Sequence, residues 1–97
     1  MKNVADCENM TDIRFAIDKF DQQIVELIAK RSGYVKKAAE FKSNPKEVKD
    51  SDRVAQVIES KKELAEEYGI SPELIGIIYK HMIDFFINQE MQEWQTK

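Results

Sequence analysis

A chain of 97 residues with 42% hydrophobic and 34% charged side chains, three Gly and two Pro suits a few long helices and excludes a many-turned β fold. So short a chain is expected to form one domain, and it buries only a modest core unless it associates. A net charge of −3 and a pI near 5.2 exclude a general nucleic-acid or anionic-membrane surface, so any anion site must be local.

The opening MKNVADCENM has no apolar segment of the kind a secretory signal needs, and 1–10 is expected to be a flexible N-terminus. The lone Cys7 can neither staple the chain nor build a cysteine metal site, which points to a reducing, cytoplasmic setting. No uncharged apolar stretch approaches the ~20 residues that span a bilayer.

The first helix is expected from an N-cap at Thr11, with apolar phase running Ile13, Ile17, Phe20, Ile24, Ile28 and holding to Lys42, about 45 Å at 1.5 Å per residue. Gly33 inside it costs ~1 kcal/mol against Ala. Continuing the same step reaches Arg31, Val35, Ala38 and Lys42, so two cations fall in core phase, about 16 Å apart along the axis. Ser43-Asn44-Pro45 ends the helix, because proline disfavours the helical conformation before it and lacks an N–H. A polar loop over 43–51 follows.

A second helix, capped by Ser51 or Asp52, sets Val54, Val57, Ile58, Leu64, Ala65 and Tyr68 on one side and stops at Gly69. Ser71-Pro72-Glu73 restarts the chain as N-cap serine and first-turn proline. The third helix runs to about Trp94, and its stripe of Ile75, Tyr79, Ile83 and Ile87 continues through Glu90. The reading is all-α, three helices with the first very long, and no internal repeat.

A buried cation without a counter-charge costs several kcal/mol, so Arg31 and Lys42 in core phase imply either a protein carboxylate or an anionic ligand. Seam charges also serve as register devices or snorkel to water. The remaining candidates read as structural. His81 stands alone, with no ligand cluster for a metal. Cys7 has no base partner, Phe85, Phe86 and Trp94 suit core or interface, and no phosphate loop or Ser/His/Asp set is visible.

Ile13-Arg14-x-x-Ile17-Asp18, then Arg31, Lys42 and Val48-x-Asp50-x-Asp52-Arg53 resemble the all-helical, type II chorismate mutases over nearly the whole chain. The match is closer to the isochorismate pyruvate-lyases of that fold, notably the salicylate-forming lyases of siderophore pathways, through DIRxAID, RxxYVKxAxxFK and AEExG. The resemblance implies an intertwined homodimer with shared active sites and no cofactor or metal. It implies a cationic cage of Arg14 from the second chain with Arg31, Lys42 and Arg53 around a dicarboxylate, with Asp50 also at the substrate. Spacing agrees that one chain is not enough, since Arg14 precedes Lys42 by about 42 Å on a straight helix.

The implied reaction is a concerted rearrangement or fragmentation of chorismate or isochorismate. It needs charge stabilisation at the ether oxygen, with Lys42 and Glu90 as the catalytic pair, and no nucleophile.

Two positions depart from the mutase pattern. Val54 stands where a glutamate is expected to hold the ring hydroxyl, which weakens selection for chorismate. With Phe86 it is a candidate specificity position. Glu90 stands where a glutamine usually donates to the ether oxygen, a role a carboxyl fills only when protonated. Lyase with mutase activity, mutase alone, and a non-catalytic dimeric helical module are the three functions this reading keeps open.

Overall fold

The computed structural model describes residues 1–96. Its elements are a 3-10 turn (Val4–Asp6) and helices α1 (Met10–Ala39), α2 (Pro45–Val48), α3 (Ser51–Glu67) and α4 (Pro72–Thr96). The three long helices match the expected all-α architecture, and α2 adds one turn within the polar loop. The chain divides into two compact units, Met1–Lys37 and Ala38–Lys97.

Each helix starts on a side chain that accepts the N–H three residues on, satisfying a donor with no intrahelical partner. Asn9 Oδ1 takes Asp12 N–H at 2.9 Å, Asn44 Oδ1 takes Glu47 N–H at 3.1 Å, Asp50 Oδ1 takes Arg53 N–H at 3.1 Å and Ser71 Oγ takes Leu74 N–H at 3.2 Å. Two expected caps are therefore corrected. Thr11 lies inside α1 behind Asn9, and Asp50 caps α3 in place of Ser51 or Asp52. Ser71 is the cap the spacing predicts.

In the first unit the segment expected to be flexible carries the 3-10 turn and an ion pair, Lys2 Nζ to Asp12 Oδ2 at 3.0 Å. The same carboxylate accepts Glu8 N–H at 3.0 Å. Along α1, Ile13, Ile17, Phe20, Ile24 and Ile28 are 40%, 52%, 50%, 53% and 39% exposed, so the apolar stripe is present and largely open to solvent.

In the second unit α3 and α4 pack together, and α2 packs on α4. The buried hydrophobic residues among those described are Val48 and Ala65, each 3% exposed. Gly76 of α4 lies under the Lys62 side chain, where an added Cβ would come within 2.6 Å of Lys62 Cε. α3 ends in a Schellman arrangement: Ile70 N–H donates to Ala65 O at 3.0 Å and Gly69 N–H to Glu66 O at 3.1 Å. Gly69 supplies the required positive φ of 71°.

The end of α1 departs from expectation. The helix stops at Ala39, so Lys42 sits beyond it rather than in its apolar seam. Pro45 holds Asn44 extended, at φ −160° and ψ 166°. The chain tightens before it into three-residue turns, with Phe41 N–H donating to Ala38 O and Lys42 N–H to Ala39 O.

The Glu8 N–H and the Lys2 ammonium hold the Asp12 carboxyl below its ordinary value of 3.8. A depressed carboxyl adds stability above its unfolded value that is lost as pH falls through its folded value. The Glu8 amide proton shift, followed by NMR, is expected to hold above about pH 4 and to move below it. A shift unchanged to low pH would mean that Asp12 does not hold this clasp.

Candidate active site

Lys42 and Glu90 meet in the second unit. Lys42 Nζ lies 3.0 Å from Glu90 Oε2, with side chains 26% and 10% exposed. Glu90 falls in the apolar phase of α4, which turns it inward with Ile83 and Ile87. At 8% residue exposure it is the buried charged residue among those described. An ionised carboxylate so placed needs a cation, and Lys42 supplies it from the turn after α1. No buried side-chain polar atom among the described residues lacks a partner.

Asp50, Arg53, Val54 and Phe86 also belong to this unit. The Asp50 cap fixes the first turn of α3, so Arg53 leaves the helix at its third position, exposed. One oxygen of the expected substrate-side Asp50 is thus already engaged with backbone. Val54 is half-buried and lines an open groove of about 630 Å³ between α3 and α4, with Lys49, Ala55, Ile58, Asp84, Ile87 and Asn88 among its neighbours. Phe86 is half-buried and packs edge to face on Phe85, with ring centroids 5.4 Å apart.

Arg14 and Arg31 lie on α1 in the first unit, Arg14 exposed and Arg31 half-buried. Their 17-residue separation is about 25 Å along the helix, too far for one small dicarboxylate to touch both on a single copy. Among the described residues no group of three His, Cys, Asp or Glu side chains could hold a metal, and no helix is long and apolar enough to cross a membrane.

Sequence reasoning missed how the backbone around Lys42 is fixed. Ser43 N–H donates to Glu47 Oε2 at 2.7 Å while Asn44 caps Glu47 N–H, a reciprocal box around α2. The signal was present as Asn44-Pro45-Lys46-Glu47, a cap residue, a first-turn proline and an acid at the third helical position. Val48 as a buried anchor carried no comparable signal.

If the pair holds Glu90 in place, Lys42→Ala strands a carboxylate and is expected to cost about 1–3 kcal/mol in urea denaturation. The double variant Lys42→Met/Glu90→Met should regain most of that. A Lys42→Ala variant as stable as wild type would mean that the pair contributes nothing to folding.

Residues 13–91 match the chorismate mutase type II family. The chain is 32% identical over 95 residues to an isochorismate pyruvate lyase of Pseudomonas aeruginosa, an alignment covering 98% of this chain and 94% of that protein. With three long helices, no strand among the described residues and an inward Lys42–Glu90 pair, the chain belongs to the chorismate mutase type II family.

Proposed function

We propose that this protein is an isochorismate pyruvate-lyase that releases salicylate and pyruvate and also rearranges chorismate to prephenate. The observation that carries this reading is the part-buried Lys42–Glu90 pair in a chain 32% identical to an isochorismate pyruvate lyase over nearly its full length. The substrate is a dicarboxylate whose enolpyruvyl ether breaks at its C–O bond. In the lyase reaction a ring hydrogen passes to the side-chain methylene as the ring becomes aromatic. Both changes occur within one molecule, so the protein has to fold the substrate and stabilise charge on the ether oxygen, without a nucleophile or cofactor.

In this scheme Arg31 and Arg53 clamp carboxylates, for which the planar guanidinium fork is suited. Asp50, by capping α3, holds Arg53 at the substrate. Lys42 turns its ammonium to the ether oxygen, and Glu90 donates to the same oxygen in its protonated form. Val54 offers no acceptor to a ring hydroxyl, which favours isochorismate over chorismate. Phe86 borders the ring. Mutase activity as the main function is the second reading, favoured by the family match alone.

The protein acts in this proposal as a single domain, in a cytoplasmic setting and as a homodimer. The exposed stripe from Ile13 to Ile28 is apolar area that a second α1 would remove from water. The ~25 Å between Arg14 and Arg31 supports a site in which the two come from different copies. A dimeric helical module without catalysis is the rival from another class.

Side-by-side assays with isochorismate and chorismate are expected to give salicylate faster than prephenate. No turnover of either would favour the rival. Arg14→Ala and Arg31→Ala variants should each be inactive alone. Co-expressed, they should regain about a quarter of wild-type activity, because half of the dimers then carry one intact site. No recovery on mixing would overturn shared sites.

Glu90→Gln puts a permanent N–H donor of the same reach at this position and is expected to raise activity across the neutral pH range. Identical activity in the variant and wild type would remove Glu90 as the donor.

A further inference from the structure

We infer that Glu47 is a positioning residue for Lys42, acting through the backbone of Ser43. The inference rests on the proposed role of Lys42 and extends it to a residue whose carboxylate is engaged with the backbone beside Lys42.

A lysine ammonium ends a flexible four-carbon stem, so its location depends on where the backbone starts it. Lys42 lies outside α1, past Ala39, where no continuous helix fixes that start. Only a turn precedes it, Lys42 N–H to Ala39 O at 3.2 Å. On its other side Ser43 N–H is held by Glu47 Oε2 at 2.7 Å, a short charge-assisted contact.

Glu47 is itself fixed twice. Its N–H donates to Asn44 Oδ1 at 3.1 Å, and the next residue, Val48, is 3% exposed where α2 packs on α4. α4 is also the helix that carries Glu90, the partner of the Lys42 ammonium at 3.0 Å. A closed circuit follows: α4 anchors Val48, Val48 carries Glu47, Glu47 holds Ser43, and Ser43 launches Lys42 back to α4.

The circuit explains why a residue exposed to solvent takes an acceptor with the reach of glutamate. Alanine removes the acceptor altogether. Glutamine keeps an oxygen at the same reach and loses only the charge, so it separates positioning from electrostatics.

The test compares Glu47→Ala and Glu47→Gln with wild type in three readouts. Trypsin cleavage after Lys46 and Lys49 reports the loop, the carboxyl carbon shift of Glu90 by NMR reports the pair, and the split between kcat and KM reports catalysis. Glu47→Ala is expected to be cut faster, to move the Glu90 signal and to lose about five- to tenfold in kcat with KM little changed. Glu47→Gln should recover most of each.

Unchanged cleavage and Glu90 signal in Glu47→Ala would overturn the inference. So would faster cleavage with an unmoved Glu90 signal, because the box would then hold the loop without placing Lys42. The first two readouts need no turnover, so an inactive wild type would sink the functional reading while still deciding the role of Glu47.

Discussion

The ion pair between Lys42 and Glu90 is the contact on which the second unit depends. A carboxylate at 8% exposure on an otherwise apolar stripe is tolerable only with a cation beside it, and the cation here comes from a turn 48 residues earlier in the chain. The pair therefore ties the segment after α1 to α4 through a directional, charge-assisted contact. It also holds together the two groups that the proposed chemistry uses.

A second constraint is the shortage of covered apolar surface. Val48 and Ala65 are the buried hydrophobic residues among those described, whereas five residues of the α1 stripe are between 39% and 53% exposed. Apolar area left in water forgoes roughly 25 cal/mol per Å², and a 97-residue chain has little else to compensate. In the proposed homodimer, pairing α1 with a second copy would cover this stripe and bring Arg14 to the same site, so stability and chemistry would draw on one event.

Local order comes from capping. Asn9 with Asp12 and Asn44 with Glu47 form the same box at two helix starts, each acid reaching back to the amide before its cap. The first box fastens the N-terminal segment to α1. The second sets the backbone next to Lys42, where ordinary helix-end chemistry comes to bear on a proposed catalytic group.

Apolar period alone determined the three long helices and the inward turn of Glu90, because burial of one helical face follows directly from residue spacing near 3.6. Proline and glycine likewise marked the chain reversals, through the missing N–H of Pro45 and the positive φ of Gly69. Spacing could not place Lys42. It extended α1 three residues too far, since the cost of a helix end depends on turn geometry set by Pro45 and on what the next residues can anchor. Thr11 was similarly displaced by Asn9, because several adjacent residues could cap and only the fold selects one. The resemblance put Lys42 and Glu90 at one site, but only the tertiary structure joined them as an ion pair and made Val48 the anchor of the loop between them. Both facts join residues distant in sequence, and a one-dimensional period carries no information about which faces meet.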